Sequence, residues 1–455
     1  MQTTTSINPA TEEEIASYNR ISAETAKEKI AKANETYNVW KKTSFKERSK
    51  LMLKLADVFD ENKEKYAQLV TQEMGKVIGQ SRGEIDKCAL ICRYYAENID
   101  KLMADKIVET EASKSYVTFQ PLGVTLAVMP WNFPFYQVIR FAAPAVMTGN
   151  TGVLKHASNV QGCAFALEDA FKEAGFPDGV FTNLNVASDN IKAIIEDKNI
   201  VAVTLTGSEP AGRSVAKIAG ENLKKTVLEL GGSDAYIILE DADLEKATDL
   251  ATYGRLQNNG QTCIAAKRFI VLEEIYDEFL KLFTKKMKAA KMGTPTSKDA
   301  YYGPMARVDL RNEIHQQVEK TVKQGGKLIL GGKIPDLKGA YYPATILADL
   351  KPGMTAFDEE LFGPVASVIK AKDENEAIAL ANNSTFGLGS GVLTNNSKRG
   401  EKIALQLEAG NSFVNKLVAS DPRLPFGGIK NSGYGRELSS YGIREFVNTK
   451  SIWID

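Results

Sequence analysis

From residue 121 onward, short apolar segments of the sequence alternate with stretches in which apolar residues recur every three or four positions. The apolar segments predict strands at residues 123–129, 152–155, 181–184 and 200–205, and the stretches between them predict helices at 135–147, 163–174 and 188–197. Such alternation favours a parallel sheet covered by helices. Because ligands of these sheets bind beyond the carboxyl ends of the strands, the loops after Met129, Lys155 and Leu205 form the predicted binding region.

The rest of the chain predicts a second α/β unit and a helical start. Strand-like segments occupy residues 236–239, 269–271, 328–330, 366–370 and 412–415. Earlier in the chain, helical spacing covers residues 22–37, 45–62 and 63–101. Residues 106–120 alternate polar with apolar side chains, which is typical of an extended arm. The predicted fold class is therefore α/β.

The charge balance and the apolar pattern exclude several classes of protein. The 455 residues include 57 Lys+Arg and 57 Asp+Glu, so the formal net charge is zero. A non-specific nucleic-acid binder would carry a basic excess. No apolar run reaches the roughly 18 residues of a membrane-spanning helix, and residues 1–5 lack the features of a signal peptide. We therefore expect a cytoplasmic protein that binds neither nucleic acid nor a membrane.

The cysteines and histidines predict neither a disulfide framework nor a metal site. Four cysteines are too few to staple a chain of this length. Cys88 and Cys92 lie on one face of a predicted helix, and they and Cys163 are expected to pack in the core. The two histidines, His156 and His315, lie in no metal-binding motif. The glycine-rich signatures of dinucleotide-binding, P-loop and α/β-hydrolase proteins are also absent from the sequence.

Three short segments present side chains suited to chemistry at a carbonyl group. Cys263 follows the small polar residues 260–262, where a loop can present the thiol to a cleft. Glu229 lies in an apolar segment before two glycines, which predicts a raised pKa and the role of general base. Asn132 lies in the rigid loop 130–134, and its amide is a candidate oxyanion donor. Each alone has a structural alternative: a buried cysteine, a capping glutamate or a turn asparagine.

Together with further motifs, these segments resemble the aldehyde dehydrogenase superfamily along nearly the whole chain. The motifs occur in the family's order, at residues 130–134, Lys155, 205–208 with Gly212, 229–232, 260–263, 360–364 and 425–437. The resemblance implies a Rossmann-like cofactor domain at 1–104 and 122–230, an α/β catalytic domain at 231–436, and a β oligomerisation arm at 105–121 and 437–455. Because a long hairpin cannot bury its apolar face alone, we expect a homodimer or a homotetramer.

The resemblance also implies a reaction. Cys263 attacks a small aldehyde as a thiolate, while the Asn132 amide and the Cys263 backbone N–H hold the oxyanion. Hydride then passes to a nicotinamide and leaves a thioester, which Glu229 resolves by activating water. An acylating enzyme that uses coenzyme A is an alternative, and the presence of Glu229 counts against it. An inactive binding protein that kept the fold is another, and the presence of all three residues counts against it.

The same resemblance assigns further residues to the cofactor: Trp131, Lys155, Ser158, Gly207, Ser208, Glu360 and Phe362. It implies that Lys155 contacts the adenosine ribose, that Glu360 holds the nicotinamide ribose, and that Phe362 packs near the nicotinamide ring. The turn formed by Gly207 and Ser208 is expected to bind pyrophosphate at a helix N-terminus, where backbone N–H groups favour anions.

Ser158 stands where many NAD-preferring members of the family carry glutamate. A small hydroxyl there removes repulsion against a 2′-phosphate and leaves Lys155, and in one interpretation His156, as its cationic partner. We therefore predict NADP as the preferred cofactor, with NAD also used. The alternative is that Ser158 is neutral and that both cofactors serve equally.

Arg140 and Ser420 are the predicted substrate-binding residues. Arg140 lies eight residues beyond Asn132, on the same side of a predicted helix. Its guanidinium suits a carboxylate at the far end of an aldehyde, and Ser420 offers a second donor. The pattern resembles the shorter bacterial succinate-semialdehyde dehydrogenases, so succinate semialdehyde is the expected substrate. The alternatives are a structurally paired Arg140 and a broad-specificity enzyme for aliphatic or aromatic aldehydes.

Overall fold

The computed structural model describes residues 2–455, and its centre consists of two β-sheets. The first sheet has six strands, in the spatial order Gly433–Tyr434, Lys225–Glu229, Ile200–Thr206, Val124–Met129, Thr151–His156 and Phe181–Asn183. Gly433–Tyr434 pairs antiparallel at one edge, and the other five strands run parallel. The helices between these strands span Tyr136–Met147, Gln161–Glu173, Ile191–Glu196 and Glu209–Glu221. The predicted parallel sheet is confirmed, and Lys225–Glu229 is a strand that the apolar pattern missed.

The second sheet has seven strands, in the order Lys327–Leu330, Thr345–Ala348, Val365–Ala371, Arg268–Leu272, Ala235–Ile238, Gly389–Leu393 and Asn411–Val414. The edge strand Lys327–Leu330 is antiparallel to its neighbour, and the others are parallel. The helices of this part span Leu244–Leu256, Glu273–Ala289, Val308–Lys323, Thr355–Asp358, Glu374–Asn382 and Ser397–Ala404. All five predicted strands are present.

Two strands of the second sheet, Thr345–Ala348 and Gly389–Leu393, were not predicted. The second contains two glycines, which weaken the signal of a strand in a sequence. The structure explains one of them, because a Cβ at Gly391 would collide with the ring of Tyr236 on the adjacent strand. Contact with the neighbouring strand therefore requires a glycine that makes this segment look unlike a strand in the sequence.

The N-terminal region differs from its predicted form in two places. A hairpin of Thr3–Ile7 and Glu14–Asn19, which was not predicted, precedes the helices Ala23–Trp40 and Phe45–Glu61, which were. The prediction of one helix at 63–101 is wrong, because the chain forms two helices, Lys63–Met74 and Ile78–Leu102. Gly75 ends the first helix with a φ of 80°, the left-handed conformation that glycine adopts readily at helix ends.

Three strands outside the two sheets form an antiparallel arm, in the order Val447–Ile454, Lys114–Pro121 and Lys106–Ile107. This arrangement confirms the extended conformation predicted for residues 106–120. Ile107 is 70% and Trp453 51% exposed, so the arm presents apolar surface. The division of the chain into domains, the oligomeric state and the cytoplasmic location stay predictions.

Cys88, Cys92 and Cys163 are buried in the core beside the first sheet, and all four cysteines are free. Burial raises the pKa of each of these three thiols. Their predicted role in core packing is confirmed. Among residues 2–455, no helix is both long and apolar enough to cross a membrane. Within the same residues, no group of three or more His, Cys, Asp or Glu side chains is placed to hold a metal ion.

Candidate active site

Cys263 lies where two cavities meet. The larger cavity has a volume of about 800 Å³, and six other predicted site residues line it: Trp131, Asn132, Gly207, Ser208, Glu360 and Phe362. The smaller cavity has a volume of about 370 Å³ and is lined by Cys263 together with Arg140 and Ser420. Three predicted residues, Lys155, Ser158 and Glu229, line neither cavity. A thiol that borders both spaces can contact a molecule held in either one.

The loop that carries Cys263 is anchored by two asparagines in left-handed backbone conformations. Asn258 and Asn259 have φ values of 52° and 58°, which asparagine tolerates better than most residues. The Asn258 amide donates to the carbonyl oxygens of Asn132 and Gln261, at 2.9 and 3.0 Å. The Asn259 amide donates to the carbonyl oxygens of Gly75 and Pro304, at 2.9 and 2.7 Å. These bonds hold the nucleophile loop against the loop that carries Asn132.

The Asn132 side chain points toward the same region. Its Nδ2 donates to the Gln261 carbonyl oxygen at 3.1 Å, which leaves its second N–H to meet another acceptor. Asn132 and Cys263 both border the larger cavity. The amide is therefore close to the nucleophile loop, as an oxyanion donor must be.

The helix that follows Asn132 begins on a buried ion pair that the sequence did not reveal. Glu84 accepts the backbone N–H groups of Phe135 and Tyr136 at 2.9 and 3.1 Å. The ammonium of Lys76 pairs with the same carboxylate, and neither side chain has exposed surface. Lys76 Nζ also lies 3.9 Å from the centroid of the Phe133 ring. This pair holds the start of the helix and, through it, the oxyanion loop.

Glu229 is the last residue of its strand and lies beside Gly427, Arg140 and Glu437. Both carboxylate oxygens are buried, with no hydrogen-bond partner among residues 2–455. Burial raises the pKa of Glu229 well above its usual range, the Glu437 carboxylate raises it further, and Arg140 opposes both. A buried carboxyl group whose pKa is raised in this way suits the role of general base.

The Cys263 thiol is also protonated in this environment. Burial raises its pKa to about 11, although the charges of Arg140 and Lys267 act in the opposite direction. The nucleophile therefore requires removal of its proton before it attacks. The predicted general base is one group that can take part in this step.

Glu360 is held in the wall of the larger cavity by two contacts. Its carboxylate accepts the Gly232 backbone N–H at 3.0 Å and pairs with Lys267 Nζ at 3.0 Å. A Cβ at Gly231 would collide with this carboxylate, so glycine is needed there for the close approach. Trp131 and Phe362 pack edge to face in the wall of the same cavity, with ring centroids 5.7 Å apart.

Ser208 precedes the helix Glu209–Glu221 and makes no capping hydrogen bond with its side chain. Pro210 has no N–H, so the backbone N–H groups that remain to bind an anion at the start of this helix are those of Glu209 and Ala211. Together with the Glu360 carboxylate and the aromatic pair, this wall offers a donor set for phosphate, an acceptor for ribose hydroxyls and flat apolar surface. These groups fit a nicotinamide dinucleotide.

Lys155 lies near the end of the strand Thr151–His156, and Ser158 lies just beyond that strand. Lys155 Nζ donates to Ser188 Oγ at 3.2 Å, and Ser158 is exposed at the start of the 3₁₀ turn Ser158–Val160. His156 behaves differently from the prediction that made it a cationic partner for phosphate. It is buried between the carbonyl oxygens of Met129 and Pro134, and burial lowers its pKa to about 4. The imidazole is therefore neutral and inside the protein, so that prediction is wrong.

Two interpretations of Arg140 were open from the sequence, a substrate-binding residue and a structurally paired one, and the structure shows features of both. Arg140 lines the smaller cavity, yet it is 2% exposed and forms an ion pair with Glu437 through Nε. Its Nη2 has no hydrogen-bond partner among residues 2–455. One part of the guanidinium thus has a structural partner and another part remains available.

Ser420 lies in the smaller cavity between two groups that were not predicted. Its Oγ accepts a hydrogen bond from Lys87 Nζ at 2.7 Å and lies 2.7 Å from the Tyr136 hydroxyl. Lys87 belongs to the helix Ile78–Leu102 and lines the cavity with Gly79 and Gly83. Gly79, Gly83 and Lys87 are four residues apart and therefore lie on one face of the helix. This spacing, with two glycines before a lysine, is a sequence signal that could have identified the cavity-lining face.

Comparisons with known proteins agree on one family. A model of the aldehyde dehydrogenase family matches residues 1–452. A Mycobacterium tuberculosis protein named succinate-semialdehyde dehydrogenase (NADP(+)) 1 is 47% identical over 451 residues, which cover 98% of this chain and 99% of the relative. A Mycobacterium leprae protein named succinate-semialdehyde dehydrogenase (NADP(+)) is 46% identical over 451 residues, with the same coverage. The crystal structure of succinic semialdehyde dehydrogenase from Streptococcus pyogenes, in complex with NADP+ as the cofactor, matches with a TM-score of 0.97 and 40% identity over 99% of each chain.

Proposed function

The chain belongs to the aldehyde dehydrogenase family, and on that premise we propose that it oxidises succinate semialdehyde to succinate with NADP⁺. The observation that carries the proposal is the position of Cys263 between two cavities, one with groups suited to a dinucleotide and one with cationic side chains. The names of the two mycobacterial relatives and of the Streptococcus pyogenes structure support both the aldehyde and the cofactor.

In the proposed reaction, the proton of the Cys263 thiol passes to solvent, and the thiolate Sγ bonds to the aldehyde carbon. The aldehyde oxygen gains negative charge and accepts hydrogen bonds from the Asn132 amide and the Cys263 backbone N–H. The nicotinamide, when bound, accepts the hydride from that carbon. The thioester left on Cys263 is attacked by water, and Glu229 takes the proton of that water. Cleavage of the carbon–sulfur bond then releases the carboxylate and restores the thiol.

For Glu229 to act, its carboxylate turns from Gly427 toward the thioester. The absence of a hydrogen-bond partner on either oxygen among residues 2–455 favours such a rotation, because no bond is broken. Its environment keeps it protonated more readily than an exposed glutamate, so the base form is lost as the pH falls through its raised pKa. Activity is therefore expected to fall on the acid side of the pH profile.

We assign the adenosine end of the cofactor to Lys155 and Ser158, and the nicotinamide end to Trp131, Glu360 and Phe362. Lys155 supplies the positive charge for a 2′-phosphate, and Ser158 offers a hydroxyl in place of a repelling carboxylate. The N–H groups after Gly207 and Ser208 receive the pyrophosphate. NAD⁺ lacks the 2′-phosphate and is expected to serve with a lower kcat/KM.

We assign the substrate carboxylate to Arg140 and Ser420. Arg140 and Ser420 line the same cavity as the thiol, so an aldehyde can reach Cys263 at one end while its carboxylate is held at the other. A broad-specificity aldehyde dehydrogenase is the second candidate. It is favoured by the Arg140–Glu437 pair, because a guanidinium with a resident partner attracts a second carboxylate less strongly.

A panel of aldehydes with both cofactors tests the proposal. Succinate semialdehyde, butanal, hexanal and benzaldehyde are compared with NADP⁺ and NAD⁺, and the reduced cofactor is followed by its absorbance. We expect kcat/KM for succinate semialdehyde to exceed that for butanal by about 10-fold or more, as one charged hydrogen bond can provide. Equal values for succinate semialdehyde and butanal would favour the broad-specificity enzyme.

We also propose that the three-stranded arm joins copies of the chain into a homodimer or homotetramer. The exposed apolar side chains on strands Lys106–Ile107 and Val447–Ile454 support this role. Light scattering after size-exclusion chromatography measures the mass directly, and a monomer would contradict the proposal.

A further inference from the structure

The smaller cavity contains an ammonium group without a carboxylate partner. Lys87 is half-buried in the helix Ile78–Leu102, and its Nζ donates to Ser420 Oγ at 2.7 Å. No carboxylate oxygen among residues 2–455 lies within ion-pair distance of this nitrogen, and Ser420 is its only hydrogen-bond acceptor there. Its nitrogen also lies 4.5 Å from the centroid of the Tyr136 ring.

The two carboxylates whose charges act on Lys87, those of Glu84 and Asp421, are already engaged by other groups. Glu84 pairs with the buried Lys76 and accepts two backbone N–H groups at the start of the next helix. Asp421 is held by both the backbone and the guanidinium of Arg423. Neither acid is free to become the partner of Lys87.

The other cation of the cavity does not compensate for this deficit. Arg140 is balanced by Glu437, so the pair adds no negative charge that Lys87 could use. Burial, followed by the charge of Arg140, lowers the pKa of Lys87 to about 8. A half-buried ammonium that is destabilised in this way gains stability from any anion that enters the cavity.

We infer that Lys87 binds the far carboxylate of the substrate together with Ser420 and so determines the preference for aldehydes that carry an anionic end. The inference rests on the proposed function. Ser420 joins Lys87 to Tyr136 through hydrogen bonds of 2.7 Å each, which fixes the hydroxyl at the cavity wall. The remaining N–H groups of the ammonium are then free for carboxylate oxygens.

This role has a consequence for the pH dependence of KM. The charged and titratable groups around Lys87 are Arg140 and Tyr136 on the next helix, Asp421 on the opposite loop, and Glu84 and Cys88 on its own helix. Only the protonated lysine attracts a carboxylate, and its pKa is about 8 in the free enzyme. KM for succinate semialdehyde is therefore expected to rise as the pH increases above about 8, while KM for butanal stays level.

Two substitutions and two aldehydes separate this role from a structural one. Lys87→Met keeps the length of the side chain and removes the charge, whereas Lys87→Arg keeps the charge. Lys101→Met, on the exposed last turn of the same helix, is the matched control. KM and kcat are measured at saturating NADP⁺ with succinate semialdehyde and with butanal, and the inhibition constant of succinate is measured in parallel.

We expect Lys87→Met to raise KM for succinate semialdehyde by about 10-fold to 100-fold, as loss of a charged hydrogen bond does. The inhibition constant of succinate should rise by a similar factor, while kcat and both constants for butanal change by less than about threefold. Lys87→Arg should retain most of the preference, and Lys101→Met should match the wild-type enzyme.

The outcomes distinguish this inference from the proposed function. If the wild-type enzyme shows no preference for succinate semialdehyde over butanal, the proposed function fails. If the wild type shows the preference and Lys87→Met affects both aldehydes equally or neither, the role of Lys87 is refuted and the function stands. If Lys87→Met does not fold, the wild-type pH profile decides, because a level KM for succinate semialdehyde across the pKa of Lys87 would overturn the inference.

Discussion

The two cavities that meet at Cys263 differ in the charged side chains that line them. Four glutamates border the larger cavity, Glu209, Glu313, Glu359 and Glu360, and its lining within residues 2–455 contains no lysine or arginine. Three of the four are paired with cations outside that lining, namely Arg213, Lys320 and Lys267. The smaller cavity is lined by Lys87 and Arg140, and its one acidic residue, Glu84, is already paired. A succinate semialdehyde is anionic, so the cationic side chains of the smaller cavity suit its carboxylate. The larger cavity instead offers backbone N–H groups, the Glu360 carboxylate and an aromatic pair, which suit a dinucleotide.

The largest expected effect comes from Glu229, the proposed base for hydrolysis of the thioester on Cys263. Glu229→Gln should lower the steady-state kcat by about 10²-fold to 10⁴-fold, because an amide cannot accept the proton of the attacking water. One equivalent of reduced cofactor should still form rapidly, and the acyl group should remain on Cys263, where intact mass spectrometry detects it.

Glu221→Gln is the control for this substitution, because Glu221 is exposed at the end of the helix Glu209–Glu221. It should leave kcat unchanged. A Glu229→Gln enzyme that shows no initial burst would indicate that the carboxylate acts before the thioester forms, in removal of the thiol proton.

The second prediction concerns the buried ion pair between Arg140 and Glu437. Arg140→Met leaves Glu437 buried without its partner and should lower the free energy of unfolding by about 3–5 kcal/mol. The double variant Arg140→Met with Glu437→Gln should recover much of this loss, because no uncompensated carboxylate remains.

Urea denaturation at one fixed protein concentration measures both values. If the double variant is as unstable as the single variant, the pair contributes packing and not charge compensation. A stable double variant then permits KM for succinate semialdehyde to be measured without the buried charge, which sharpens the contrast between Arg140 and Lys87.

The third prediction tests whether Cys263 is a neutral thiol before the reactants bind. Its pKa of about 11 means that the thiolate fraction is small near neutral pH and rises with pH. The rate of alkylation by iodoacetamide should therefore increase by about tenfold for each pH unit between about pH 7 and pH 9. A Cys263→Ser variant, which retains the three buried cysteines, should show almost no reaction. A rate that is level over this range would show that the thiolate is already formed.

The smallest expected effect comes from Ser158, which lies outside both cavities at the proposed adenosine end of the cofactor. Ser158→Glu places a carboxylate near the proposed 2′-phosphate and should lower kcat/KM for NADP⁺ by about tenfold, while the value for NAD⁺ should rise or stay level. Kinetics with each cofactor at low ionic strength measure the change. An equal loss for both cofactors would indicate that Ser158 supports the loop and does not select the phosphate.

Much of this arrangement could be predicted from local patterns. The alternation of strands and helices predicts the first sheet, and strands that run parallel must end on the same edge. Trp131 and Gly207 follow neighbouring strands of that sheet, so their meeting in one cavity is a consequence of topology. Local patterns failed to predict the strand that contains Gly391. Glycine is unfavourable in a strand, but it is required there because the ring of Tyr236, on the neighbouring strand, occupies the space of a side chain.

The sequence by itself determined the fold class and the set of groups from which the site is built: a thiol, a carboxylate, an amide and a phosphate-binding turn. The tertiary structure decided which charges meet. Lys87 and Ser420 are 333 residues apart, and no local periodicity connects them. The same is true of Arg140 with Glu437, and of the burial that makes His156 neutral. Periodicity describes how each element presents its faces, whereas the charge of a cavity depends on which faces pack together and how much water they exclude.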